Sequence, residues 1–308
     1  MRTDLLSGAT EKAALAVLPW VGRLEKEAAD AAAVEAMRRA LHSAPIAGEV
    51  VIGEGEMDEA PMLYRGEKLG AGGPALDIAV DPLEGTNLVA RDRPGASCIL
   101  LAGPRGSLLS APDMYMDRLA GPPEAKGRIS LDMPVGEIVR TVARVQKKDV
   151  RDVNVVMLER DRHKDRMEAV LSAGGILRLI TDGDVLPSVL AGIGGHGVDL
   201  VLGVGGAPEG VLVAGALTIL GGAFEGRLLP EDDAERARIK AMGLTEEILQ
   251  VSDVVKDDDV AFTATAVTSG WGLEGPRRDG EWMWTTSLIL GAGGILRRTH
   301  TRYPRRAS

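Results

Sequence analysis

The chain has 308 residues, 45% of them hydrophobic and 26% charged, which is enough for a substantial core in one large domain or two ordinary ones. Its net charge, 36 − 45 = −9, repels nucleic acid and anionic membrane, so neither is an expected partner. The same field opposes a phosphorylated metabolite unless bound metal or an arginine cluster reverses it locally.

Aromatic residues are only 3% of the chain, so the core is aliphatic. One cysteine, Cys98 in the apolar run ASCILLAG, excludes an internal disulfide and reads as a buried, inert thiol in a reducing cytoplasm. Asp4, Glu11 and Lys12 interrupt the approach to AALAVLPWVG, which argues against a signal peptide. The longest uncharged apolar run, VLVAGALTILGGAF, is too short to span a bilayer.

In chain order, residues 9–42 are rich in Ala, Glu, Lys, Arg and Leu and predict two helices divided near 19–22. Buried strands are expected at EVVIGE (49–54), ALDIAVD (75–81), SCILLAG (97–103), NVVMLE (154–159), ILRLIT (176–181) and VDLVLGV (198–204). Each of the last three leads through a polar or glycine-rich turn into a plausible helix, the signature of an α/β fold. Ligands in such folds sit beyond the carboxyl ends of the strands. The tail, 270–300, alternates with glycine breaks and predicts antiparallel strands. The expected body is a single unit over 1–308, with approximate sub-lobes at 1–145 and 146–308.

GxSxG, HExxH and Walker A motifs are absent, and the four histidines are scattered. A GxGxxG at Gly192, Gly194 and Gly197 follows a helix and precedes a strand, the reverse of a dinucleotide fingerprint, so it reads as a connecting loop.

The chemistry gathers in the turns. In DIAVDPLEGTN (77–87), Pro82 pushes Asp81 towards extended backbone at a strand end. If a turn or helix starts there, Glu84 falls on the same side one turn later. Hard dications take such oxygen ligands together with water and phosphate. Gly85 admits a phosphate to the backbone, and Thr86 offers a hydroxyl beside helix-start amides. Taken alone, the run reads equally well as a helix cap with an acidic first turn. GEGEMDEAP (53–61) places Glu54, Glu56, Asp58 and Glu59 directly after a buried strand, a costly crowd unless solvated or sharing a cation. In GGAPEG (205–210), Pro208 and Glu209 make a good helix start. In company with the other acids, Glu209 is also a candidate metal ligand and Gly206 a backbone donor. TDGD (181–184) is by itself an Asx turn plus cap, but beside a sugar Asp182 and Asp184 would accept hydroxyl hydrogen bonds. ERDRHKDR (159–166) has the look of a solvated helix face, yet its place after a buried strand suits Arg160 and Arg162 to gripping a phosphate.

The runs VIGEGEMDEAPMLYRGEKLG, DIAVDPLEGTN, APDMYM, TDGD and GVGGAPEG together resemble the bacterial class II fructose-1,6-bisphosphatases. That family lies within the lithium-sensitive, metal-dependent sugar and inositol phosphatases, and the resemblance covers about residues 5–300 in the same order. It implies a layered αβαβα sandwich, a cytoplasmic homo-oligomer (dimer or tetramer), and hydrolysis of the 1-phosphate of fructose 1,6-bisphosphate with Mn²⁺ or Mg²⁺. It implies Asp30 and Glu54 on one ion; Asp81, Glu84 and Glu209 on others; and Asp58 and Thr86 as the groups that position or deprotonate the attacking water. Gly85, Thr86, Tyr115, Arg160, Arg162, Asp182, Asp184 and Gly206 would line the substrate. Asp30 and Tyr115 come from the resemblance alone: in the sequence Asp30 reads as an exposed helical residue and Tyr115 as core. The family usually has lysine where Arg160 stands. The alternatives are a sedoheptulose-1,7-bisphosphatase or dual activity, an inositol monophosphatase, a metal-dependent sugar-phosphate sensor, and an acidic scaffold.

Overall fold

Spacing of apolar side chains decides where the helices lie. In the computed structural model, which describes residues 3–55 and 62–304 with side chains from residue 6 onward, the helix at 26–42 buries Ala29, Ala33, Val34, Met37 and Leu41, one stripe at helical period. The charged residues Glu35 and Arg39 pair on its open face at i,i+4. The elements run in order: α1 (Thr3–Val17), a 3₁₀ turn (Leu18–Trp20), α2 (Lys26–His42), β1 (Ala47–Ile52), β2 (Lys68–Leu69), β3 (Ala75–Glu84), α3 (Thr86–Ala90), β4 (Ser97–Pro104), β5 (Tyr115–Gly121), α4 (Val135–Val145), β6 (Asn154–Leu158), α5 (Lys164–Ser172), β7 (Ile176–Ile180) and α6 (Val185–Ile193). They continue with β8 (Leu200–Gly206), α7 (Ala207–Leu220), β9 (Ala223–Leu229), α8 (Asp233–Ala241), β10 (Leu249–Gln250), α9 (Val251–Val254), β11 (Ala261–Ala266), β12 (Arg277–Asp279), β13 (Trp282–Gly291) and β14 (Ile295–Pro304). The six strands and the paired N-terminal helices expected from pattern are all present, but β7, at the sheet edge, is mostly exposed rather than buried, and the tail is antiparallel as its alternation predicted.

Two compact units form. The first is built from 1–108 and 257–308, the second from 109–256. In the first, an eight-stranded mixed sheet has the order β12-β13-β11-β4-β3-β1-β2, with β14 on β13. α1 and α2 cover it over an aliphatic core that includes Met37, Leu41, Ile78, Val80 and Leu100. β3 lies between parallel β1 and antiparallel β4 and is buried on both faces, which is why it reads as an unbroken apolar run. In the second unit, a six-stranded sheet has the order β10-β9-β5-β8-β6-β7. Leu119, Ile138, Val142, Val155 and Val170 pack α4 and α5 on one face. α6 and α7 lie on the other, where Met116 and Arg118 of β5 point. Each unit is thus a mixed sheet packed with helices, consistent with an α/β sandwich. Among the described residues no helix is long and apolar enough to cross a membrane.

One local expectation changes. No helix starts at Asp81: β3 continues through Glu84. Pro82 brings no N–H to the ladder, so pairing with β4 steps from Asp81↔Ile99 to Glu84↔Ser97, with an extra residue bulged on β3.

Candidate functional site

In the first unit the acidic groups follow two parallel strands at their carboxyl ends. Glu54 stands just past β1; Asp81 and Glu84 stand on the bulged end of β3. Asp81 Oδ1 accepts the Leu83 N–H at 3.1 Å, which shapes the bulge. Gly85 ends the strand in the left-handed region, φ 86°, and a Cβ there would meet the Leu88 side chain at 2.9 Å. Its carbonyl accepts the N–H groups of Leu88 and Val89, so α3 begins at Thr86 without a side-chain cap. The DPLEGT run is therefore not the capped helix of the bland reading. Gly53 has a plainer purpose: a Cβ there would lie 1.9 Å from the Leu63 carbonyl oxygen, so the glycine admits the returning chain.

Electrostatics ties these acids together. Burial first, and then the charge of Asp30, pushes the Glu54 carboxyl up to about 7. Burial and Glu27 raise Asp30, which is half-buried on α2 rather than exposed. The Cys98 thiol, fully buried, is pushed up by burial and by Asp81 and Asp30. Asp30, Glu54 and Asp81 thus share a poorly solvated neighbourhood, and among the described residues no cation acts on Asp30 or Glu54. That is the environment a hard dication relieves. Among the described residues no three His, Cys, Asp or Glu side chains already close on one point, so any ion there would draw on water and substrate oxygens as well. Glu56, Asp58 and Glu59 lie outside the described residues.

In the second unit the candidate residues gather at one end of the sheet. β6, β7 and β8 run parallel there, with antiparallel β5 beginning beside them. This collects Tyr115, Arg160, Arg162, Asp182, Asp184, Gly206 and Glu209. Tyr115 is 39% exposed, which corrects its reading as core: it opens β5, and the Arg162 guanidinium stacks on its ring at 4.8 Å. Arg160 donates to the carbonyls of Glu159 and Thr181, and Arg162 to that of Val204. No carboxylate pairs with either among the described residues, so both charges remain available to an anion.

Asp182 accepts the Gly183 N–H, and Gly183, at φ 77°, makes the turn. Asp184 stands at the α6 N-cap without capping it; its two oxygens accept from Arg118 Nη2 at 3.0 and 2.8 Å. At the next strand end Pro208 and Glu209 open α7. Glu209 Oε2 is enclosed and has no hydrogen-bond partner among the described residues. Burial raises its carboxyl while Arg118 opposes the rise. Paired glycines make the room: a Cβ on Gly205 would lie 2.0 Å from Arg118 Nη2, and one on Gly206 2.1 Å from Glu209 Oε2. An orphaned carboxylate oxygen beside a half-satisfied arginine, whose Nη1 is also buried without a partner, fits a missing polar ligand such as a cation or sugar oxygen.

Pattern reading missed Arg118 and His163. Arg118 was legible as one charge at an inward position of an apolar strand; His163 had no signal, being one more polar residue in ERDRHKDR. In the structure His163 is 1% exposed.

Carboxylates clustered at strand ends in one unit, and carboxylate-free arginines at strand ends in the other, are the equipment of an α/β protein that handles phosphate esters. The family model for bacterial fructose-1,6-bisphosphatase, glpX-encoded, matches residues 3–303. Fructose-1,6-bisphosphatase 1 class 2 of Escherichia coli (strain K12) is 43% identical over 317 residues, covering 97% of this chain and 94% of the relative. The class 2 enzyme of Haemophilus influenzae is 42% identical, covering 95% and 92%. A protein of Synechococcus sp. (strain JA-3-3Ab), D-fructose 1,6-bisphosphatase class 2/sedoheptulose 1,7-bisphosphatase, is 38% identical, covering 92% and 89%. The chain belongs to the bacterial class 2 fructose-1,6-bisphosphatase family.

Proposed function

We propose that the protein hydrolyses the 1-phosphate of D-fructose 1,6-bisphosphate, releasing fructose 6-phosphate and phosphate, in sugar-phosphate metabolism in the cytoplasm and as a homo-oligomer. The observation that carries this reading is the family match from residue 3 to 303. Asp30, Glu54, Asp81, Glu84 and Glu209 are assigned to Mn²⁺ or Mg²⁺. When bound, such ions polarise a phosphoryl group and lower the pKa of water. The chain's own residues do the rest. Thr86 and Asp58 orient or deprotonate the attacking water. Gly85 and Gly206 leave main-chain groups open to the substrate. Asp182 and Asp184 accept sugar hydroxyls, and Tyr115 forms a wall. Arg160 and Arg162 anchor the 6-phosphate, whose binding energy orients the reacting end.

The names of the Synechococcus relatives favour one second reading, a shared activity on sedoheptulose 1,7-bisphosphate. Both readings are tested by phosphate release from the six- and seven-carbon bisphosphates and from inositol monophosphate, with Mn²⁺ or Mg²⁺, with and without chelator. Turnover of fructose 1,6-bisphosphate that chelator abolishes is expected. Equal kcat/KM on inositol monophosphate, or metal-independent turnover, would overturn the assignment.

A further inference from the structure

β6 and β8 are neighbours for only two residue pairs, Val155↔Leu200 and Val156↔Val201. Beyond these the strands part. β6 stays paired to β7 through Leu158, and β8 stays paired to β5 through Gly206. The helices that follow, α5 after β6 and α7 after β8, lie on opposite faces of the sheet. This split is thus a topological switch point, where α/β folds place their ligands. It has a cost, because the main-chain groups that would have formed the next rungs lose their partners.

His163 replaces those rungs. Its Nδ1 lies 2.8 Å from the Leu158 carbonyl oxygen on β6, and its Nε2 lies 2.9 Å from the Val204 nitrogen on β8. A carbonyl only accepts and an N–H only donates, so the geometry fixes one tautomer: Nδ1 carries the proton and Nε2 is bare. The other polar group of Val204, its carbonyl, accepts from Arg162 Nη2 at 2.9 Å. One residue of β8 therefore holds His163 through its N–H and Arg162 through its carbonyl. The ring is packed as closely as it is bonded: Gly203 has φ 144°, and a Cβ there would lie 2.9 Å from the imidazole.

We propose that His163 is a positioning residue for phosphate binding: by bridging the parted ends of β6 and β8 through both ring nitrogens, it fixes Val204 and so sets Arg162 against Tyr115 to receive the anion. The inference rests on reading Arg160 and Arg162 as the phosphate anchor. It carries a pH consequence. A second proton on the ring removes the acceptor at Nε2, leaves the Val204 N–H unpaired and loosens the mount of Arg162. The charged groups that face the ring are Arg162 on its own turn, Arg166 from α5 and Asp117 from β5. From β6 and β8 the ring meets the main chain of Leu158 and Val204 and the glycine at 203. Arg166 and Asp117 already neutralise each other in a two-pronged pair at 2.5 and 2.6 Å. Burial above all, with the two arginines, holds the imidazole below its usual value and so in the bridging form near neutrality.

The test uses three variants of the full chain. His163→Gln returns an acceptor at the Nε2 position, His163→Asn returns only a donor at the Nδ1 position, and His163→Phe returns neither. Calorimetry of inorganic phosphate and of fructose 6-phosphate binding, in chelator, reads the anion site without turnover. KM and kcat for fructose 1,6-bisphosphate and for fructose 1-phosphate read it with turnover. Expected are about tenfold weaker binding in His163→Phe and in His163→Asn, and binding within about threefold of wild type in His163→Gln. KM should rise for the bisphosphate alone, with kcat within about twofold. Between pH 8 and 5.5 the wild-type advantage over His163→Gln should shrink, since the phosphate's own titration is common to both. Wild type that takes up no phosphate, His163→Phe or His163→Asn binding as tightly as wild type, equal losses on both substrates, or a pH-independent ratio to His163→Gln would each overturn the inference. Should His163→Phe fail to fold, His163→Gln and the pH series decide. Phosphate binding in the predicted order without hydrolysis of the bisphosphate would instead overturn the proposed function and leave this inference standing.

Discussion

Among the described residues no cation acts on the raised carboxyls of Asp30 and Glu54, and this fixes the sign of a pH dependence. Both carboxyls are raised in the folded state, Glu54 to about 7, so the folded chain holds protons that the unfolded chain releases near the ordinary values of 3.8 for Asp30 and 4.5 for Glu54. The metal-free protein is therefore most stable at low pH on this account and loses stability as pH rises towards 7. A dication displaces those protons and restores what is lost. Chelator should lower Tm more at pH 8 than at pH 6, by about 3 °C or more; equal drops would remove the metal assignment for this pair. Glu84→Gln and Asp58→Ala should each lower kcat by at least about 10²-fold with an unchanged circular dichroism spectrum. Near wild-type turnover in either would end its role. Arg118 is a different kind of residue. It is buried, and its removal strands the Asp184 carboxylate. Arg118→Ala should cost about 3–5 kcal/mol in urea unfolding, and Gly205→Ala should move in the same direction because its Cβ would strike the guanidinium. A loss below about 1 kcal/mol in Arg118→Ala would mean that solvent already reaches the pair.

Among the elements, the β13–β14 hairpin shows how a buried acid is used structurally. Glu11 on α1 is 3% exposed and accepts from Ser287 at 3.2 Å, from Thr301 at 2.9 Å and from Tyr303. Thr10 and Thr265 extend the chain of hydroxyls into β11. The last strand is thereby fastened to the first helix. Burial and the Glu11 carboxylate push the Tyr303 hydroxyl up, so it stays a donor throughout the accessible pH range. Tyr303→Phe should destabilise by about 1–3 kcal/mol and speed amide exchange first in β14; exchange unchanged in that strand would show the hairpin is held elsewhere. None of this could be read in advance, because the partners are 276 to 292 residues apart. The strands themselves were legible from their apolar runs. The β3 bulge was half legible: Pro82 announced a break, but only pairing with β4 decided that the chain would bulge rather than turn into a helix.

Across the whole molecule, the two compact units differ in how the chain supplies them. Residues 109–256 form one continuous unit with its own sheet and core, whereas the other is closed only when 257–308 returns to 1–108. A 109–256 fragment should therefore fold alone, with α/β circular dichroism and cooperative urea unfolding, and a 1–108 fragment should not. A 109–256 fragment without a cooperative transition would show that its core needs the rest of the chain.

Local chemistry carried much of this protein in its linear order. Apolar runs announced the strands, glycine and proline announced the turns, and the family runs named the acids and arginines to watch. Folding alone decided which of them share an environment. Asp30 became a neighbour of Glu54, Tyr115 came to the surface under Arg162, and Arg118 and His163 emerged as supports. The physical reason is that burial and pairing depend on where distant segments meet, and strand order, which skips along the chain, sets those meetings.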